Sequence, residues 1–104
     1  MNARTELIEE VKKANSSIKC ALLEDCYYFN EDEKKYFLKC GYSNEDLQKF
    51  YSEIDFEYDA GYGSQELEGT VWFNDGTWLE RVEYDGSEWW KHKKLPEIPT
   101  ELTK

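Results

Sequence analysis

The stretch Gly69-Thr-Val-Trp-Phe-Asn-Asp75-Gly76-Thr-Trp-Leu-Glu-Arg-Val-Glu-Tyr-Asp85-Gly86-Ser-Glu-Trp-Trp-Lys-His92 decides the fold. Two Asp-Gly pairs interrupt a run of large side chains, and all four tryptophans (Trp72, Trp78, Trp89, Trp90) lie within it. Asp-Gly between alternating strands is a strong hairpin signal, because a type I′ turn needs positive φ at both central residues. The stretch therefore reads as a three-stranded antiparallel meander.

With two-residue turns, Phe73 pairs with Trp78, Trp72 with Leu79 and Val71 with Glu80. The second hairpin pairs Val82 with Trp89, Arg81 with Trp90 and Glu80 with Lys91. One face is then Val71, Phe73, Trp78, Val82, Tyr84 and Trp89, with Glu80 and Lys91 as an opposite-charge pair, and it is the expected core. The other face carries Trp72, Leu79, Arg81, Trp90 and His92 among Thr70, Thr77, Glu83 and Glu88. It reads either as a thinner layer covered by a helix or the C-terminal tail, or as a partner-binding surface, since Trp and Arg dominate interface hot spots. A second register is open. Asn74-Asp75-Gly76 can form a three-residue turn with a bulge, and a slip of one residue exchanges the faces. The like-charge opposition of Glu83 and Glu88 counts against the first register.

Upstream, Ser43 to Ile54 predicts a helix. Ser43 is its N-cap and Asp46 completes a capping box, with Asp for the usual Glu. Leu47, Phe50, Tyr51 and Ile54 make one apolar stripe, which needs a sheet face to cover. Asn2 to Ala14 predicts a first helix with Leu7, Ile8, Val11 and Ala14 at helical spacing and Asn2 able to cap it. Between the two helices, Ile18–Leu23 reads as a strand, Cys26–Phe29 as its extended continuation, and Tyr36–Cys40 as the return strand. Ile18–Leu23 is a candidate exposed edge. Downstream, Pro96 and Pro99 forbid a regular ladder, so 95–104 is an extended tail packed along the domain. The expectation is a single α+β domain over 1–104, in the order α-β-β-α-(β)-β-β-β, with a mainly antiparallel sheet. Its predicted core is Leu47, Phe50, Ile54, Val71, Phe73, Trp78, Val82 and Trp89.

The chain has 104 residues and a net charge of -10, yet aromatics are 16%. Disordered chains are poor in aromatics, so this charge coats a folded domain. Residues 31–68 hold eleven acids and four bases, so the acidity belongs to the middle third. Such a charge disfavours nucleic acid and anionic lipid as direct partners and favours basic ones. It also serves solubility. No apolar run reaches membrane-spanning length. The three cysteines, with no Cys-x-x-Cys and no signal peptide, fit a reducing cytosol.

No complete catalytic or cofactor motif is present, so the expectation is a non-enzymatic protein without a cofactor. Asp55-x-Glu57-x-Asp59 with Glu66 at the twelfth position partly imitates a calcium loop, but Ala60 stands where the sharp turn wants Gly. A metal- or ligand-binding module on 55–66 is the alternative reading, against an acidic strand edge. Cys20, Cys26, Cys40 and His92 have zinc-ligand chemistry without finger-like spacing. A Cys–His nucleophile would need His92 beside one cysteine.

The segments Phe56-Glu57-Tyr58-Asp59-x-Gly61-Tyr62-Gly63, Trp72-Phe73-x-Asp75-Gly76-Thr77-Trp78, Glu83-Tyr84-Asp85-Gly86-Ser87-Glu88-Trp89-Trp90 and Pro96-x-Ile98-Pro99 resemble small uncharacterised proteins of tailed bacteriophages. That resemblance covers roughly the C-terminal half. It implies a phage product in the bacterial host cytoplasm, and by analogy of class an inhibitor of a host nucleic-acid-handling or defence protein. DNA mimicry is one version of such inhibition. The expected partner-binding residues are Asp55, Glu57, Asp59, Glu66 and Glu68, with Trp72, Arg81 and Trp90.

Overall fold

The computed structural model describes residues 2–25, 34–58, 67–84, 87–96 and 99–102. Two helices, α1 (Ala3–Lys13) and α2 (Asn44–Glu53), accompany five strands: β1 (Ile18–Asp25), β2 (Lys34–Leu38), β3 (Leu67–Phe73), β4 (Trp78–Tyr84) and β5 (Ser87–Lys93). The strands form one antiparallel sheet in the order β2-β1-β3-β4-β5. The fold is α+β, and β3–β5 are the meander.

Both helices start where their caps predict. The Asn2 side chain accepts from the Thr5 amide at 2.9 Å. Ser43 Oγ accepts from the Asp46 amide at 3.1 Å, and Asp46 returns the bond from the Ser43 amide at 3.0 Å. These backbone and side-chain bonds to Ser43 hold the Asp46 carboxyl below its ordinary range. Of the segment 55–59, the described residues 55–58 do not form a strand. They make one isolated bridge, Asn2 with Glu57, beside an Ala3 amide bond to the Phe56 carbonyl at 2.9 Å.

β1 is an interior strand and not the expected edge, because β2 covers one side of it and β3 the other. Its ladder with β3 shifts register at a bulge between Ile18 and Cys20. Gly69 sits opposite Leu23, where a Cβ would collide with the Leu22 carbonyl oxygen. Here glycine serves close approach of two backbones.

The first hairpin takes the three-residue turn. Trp72 pairs with Trp78, Val71 with Leu79 and Thr70 with Glu80. Gly76 has φ +87°, as the last residue of such a turn requires. The Phe73 amide donates to the Thr77 carbonyl at 2.9 Å. Asp75 accepts from the Thr77 amide at 2.9 Å and from its hydroxyl at 2.6 Å. These two bonds hold the Asp75 carboxyl low. Asn74 is tied to the segment before β1, donating its amide N–H to the Ser17 carbonyl at 3.0 Å and its side-chain N–H to Ser17 Oγ at 2.7 Å. The second hairpin has the two-residue register, with Val82 opposite Trp89 and Arg81 opposite Trp90. Its Asp85-Gly86 tip lies outside the described residues, as do Cys26–Phe29 and Gly61–Ser64.

The one-residue slip turns β4 and β5 over together relative to β3. The core therefore joins Val71 and Phe73 to Leu79 and Trp90, under Ala3 and Leu7 of α1, Phe50 of α2 and Ile54 at the C-cap of α2. Trp78, Val82 and Trp89, expected in the core, are not in it: Trp78 and Val82 are half-buried and Trp89 is exposed. Leu47 is also only half-buried, packed at the margin. The tail differs from expectation too, since Leu95 and Leu102 are exposed and Thr100–Leu102 forms a 3-10 turn.

Candidate functional site, an uncovered sheet face

Arg81 lies on the core side of β4. Its side chain is inaccessible, and its charge is met on every side. Nη1 donates to Glu6 of α1 at 2.9 Å, and Nη2 donates to Glu88 of β5 at 2.5 Å and to the Tyr58 hydroxyl at 3.1 Å. Nε donates to the Leu67 carbonyl at 3.3 Å. The guanidinium stands 5.3 Å from the Tyr58 ring centroid and 5.1 Å from that of Trp90. Glu88 also accepts from the Leu67 amide at 3.1 Å. A guanidinium suits this place because its fixed fork can satisfy several acceptors at once. Burial works against the Arg81 charge, but Tyr58, Glu6 and Glu88 outweigh it and raise its pKa. Burial and the hydrogen bond to Glu6 push the Tyr58 hydroxyl far above its ordinary value. This cluster joins α1, β3, β4 and β5. It is a clamp inside the fold, so Arg81 does not present itself to a partner. Trp90, 4% exposed, is likewise part of the core.

The opposite face of the sheet is the accessible one. The register runs straight across it: Phe37, Leu22, Thr70, Glu80 and Lys91 make one row, and Cys20, Trp72, Trp78 and Lys93 the next. Val82 and Trp89 face each other beyond. Phe37 is 60% exposed, Trp72 41% and Trp89 42%. Both helices share their core with the other side, and Phe37, on the edge strand, borders a groove with Asp46 and Lys49 of α2.

Charge on this face balances. By strand alternation it carries Glu24, Glu68 and Glu80 against Lys35, Lys91 and Lys93, with Lys19 of the β1 bulge beside Trp72 at its margin. Lys93 donates to Glu80 at 2.7 Å, and the Trp78 indole donates to the same carboxylate at 3.0 Å. Those two bonds, Lys93 first, hold the Glu80 carboxyl low. Lys35 and Glu24 approach to 3.9 Å. A chain of net charge -10 thus keeps one aromatic surface on which its acidity is cancelled.

The sequence-predicted site residues are scattered by the fold. Trp72 and Glu68 are exposed on the uncovered face, whereas Asp55 and Glu57 are exposed beside the start of α1. There the Asn2 side-chain amide donates to Asp55 at 3.0 Å and to Glu57 at 3.3 Å. Asp59 and Glu66 lie outside the described residues, as does Cys26. Among the described residues, no three metal-ligating side chains gather. His92 stands opposite Leu79 on the core side, meeting Phe73 edge-on and Thr77 Oγ1 at 2.8 Å. Cys20, opposite Trp72, is on the other face, so the two do not form a Cys–His pair. No helix among the described residues is long and apolar enough to cross a membrane.

Sequence reasoning passed over Phe37 and assigned Trp89 to the core. The one available signal was the alternative turn at Asn74–Gly76, which moves Trp89 outward by itself. Phe37 carries no comparable signal, because its face follows from pairing with Leu22.

No family model, curated protein or solved structure matches the chain.

Proposed function

We propose that the chain is a non-enzymatic interaction protein that docks a basic protein on the uncovered face of its sheet. One observation carries the reading: Phe37, Trp72 and Trp89 are exposed on the side of the sheet away from the described helices, spread from edge strand β2 through β3 to edge strand β5. Tryptophan is the residue that most often anchors an interface when desolvated. The overall charge of -10 draws a basic protein in at long range and repels a second copy of the same chain. At contact the neutral face imposes little charge desolvation. Nucleic-acid-handling proteins are the natural class of basic partner. A phage-encoded inhibitor or modulator of such a host protein, acting in the host cytoplasm, is the role that fits this chemistry and the bacteriophage resemblance.

The competing version, DNA mimicry, places contact on the acids, of which Asp55 and Glu57 are held together by Asn2. Affinity capture from bacterial lysate separates the two. The Trp72→Ala/Trp89→Ala double variant is expected to fold normally and to lose a captured basic protein by about tenfold or more. Asp55→Lys/Glu57→Lys is expected to retain it, with little weakening by added salt. The reverse pattern moves the contact to the acids. Capture that neither pair alters, or dimerisation through the tryptophans in place of capture, overturns the reading.

A further inference from the structure

A groove of about 350 Å³ beside Trp72 holds two cysteines, Cys20 and Cys40, together with Lys19 and Thr77. Cys20 belongs to β1, just past its bulge, and is half-buried. Cys40 follows the end of β2 by two residues and is exposed. The turn that carries it is held against β1, because the Tyr42 hydroxyl donates to the Ile18 carbonyl at 2.6 Å. Gly41, at φ +79°, bends the chain there. The fold thus brings to one wall two thiols that lie twenty positions apart in sequence.

We propose that Cys20 and Cys40 form a reversible dithiol site that reacts with a small disulfide of the glutathione class. Their chemistry differs in a way that orders the steps. Burial, then the hydrogen bond to Cys40, raises the Cys20 pKa, so Cys20 keeps its proton while the exposed Cys40 meets the reagent. Cys40 releases its proton, and its thiolate attacks one sulfur of the small disulfide. The S–S bond breaks, a mixed disulfide forms on Cys40, and the departing thiolate takes up a proton. Cys20 then gives up its proton and attacks Cys40 Sγ. The mixed disulfide breaks, the Cys20–Cys40 bond forms, and a second small thiol leaves protonated. Two protein thiols are oxidised and one small disulfide is reduced to two thiols, so atoms and electrons balance. Lys19 supplies the groove with a cation for a carboxylate of the incoming peptide. The product ties β1 to the residue beyond β2 next to Trp72. This site stands independently of the docking proposal.

The test uses the full chain in a series of reduced and oxidised glutathione, quenched in acid and mapped by peptide mass spectrometry. The native chain is expected to lose two hydrogens, with the link at Cys20–Cys40, and Cys26→Ser is expected to do the same. Cys20→Ser is expected to stop with one glutathione on Cys40, while Cys40→Ser forms no internal link to Cys20. Oxidation is expected to quench tryptophan fluorescence, and Trp72→Phe to remove most of that quench. A link from either cysteine to Cys26, or a native chain that stops at the mixed disulfide as Cys20→Ser does, overturns the proposal. So does a folded native chain that stays reduced in excess oxidised glutathione while the urea-unfolded chain reacts.

Discussion

Trp72 lies directly opposite Trp78 across the β3–β4 ladder, on the side of the sheet away from both helices. That pairing turns Leu79 inward and Trp89 outward. Leu79→Ala is therefore expected to destabilise the chain by about 2–5 kcal/mol, the usual range for a buried leucine. Trp89→Ala is expected to stay below about 1 kcal/mol, despite the larger side chain removed. Urea unfolding of the two variants measures this. Equal losses would reverse the assignment of faces.

Arg81 is the cation between two carboxylates in the clamp. Arg81→Met is expected to lose about 3–5 kcal/mol, because Glu6 and Glu88 remain with uncompensated charge. A triple variant, Glu6→Leu/Arg81→Met/Glu88→Leu, is expected to recover most of that loss, as apolar replacements of whole buried ion clusters do. Thermal melts at one pH compare them. A triple variant less stable than the single one would show that the cluster contributes more than it costs to desolvate.

The pH dependence follows from the shifted groups. Asp46, Asp75 and Glu80 have lowered pKa values in the fold. Their contribution is present above the unfolded carboxylate values, roughly 4. It is lost as pH falls through the lower folded values. Tyr58 and Cys20 are raised, so their contribution is present below their unfolded values and lost as pH rises through the folded ones. A stability plateau across neutral pH, with losses on both flanks, is expected in denaturant titrations. Ser43→Ala is expected to cost about 1 kcal/mol at neutral pH. It should also remove the Asp46 share of the acid-side loss.

Two glycines separate two reasons for glycine. Gly76→Ala meets open space and only the unfavourable φ, for a loss of roughly 1 kcal/mol. Gly69→Ala drives a Cβ into the Leu22 backbone, which cannot move without opening the β1–β3 ladder. Gly69→Ala is expected to be clearly the more destabilising, by chemical denaturation. Gly76→Asn is expected to be nearly silent, because asparagine tolerates left-handed backbone.

The parts of the fold legible in sequence are those decided locally. The Ser43–Asp46 capping box and the stripe through Phe50 and Ile54 locate α2 within a residue. The register of β4 against β5 follows from its two-residue loop. The first Asp-Gly pair is ambiguous by nature, since the same dipeptide serves two-residue and three-residue turns. What accompanies the choice is distant: Ser17 receives Asn74 from 57 positions away. Burial of Arg81 had no local signal either, because Glu6 is 75 positions distant. For the candidate surface, the sequence groups Trp72, Arg81 and Trp90 on one face and leaves open whether that face is covered; Trp72 is exposed, whereas Arg81 and Trp90 point the other way. The interior position of β1 was hidden for the same reason, its β3 partner lying across α2.

The Glu6–Arg81–Glu88 clamp has a consequence for the chain as it leaves the ribosome. α1 emerges before the sheet, but the charge it is built to meet arrives 75 residues later, and Glu88 seven residues after that. Until synthesis passes Trp90, the nascent chain holds an arginine that lacks one of its two acids and a β4 edge without its neighbour. Folding of this sheet accordingly waits for β5, and a product stalled before β5 is an open target for quality-control proteases.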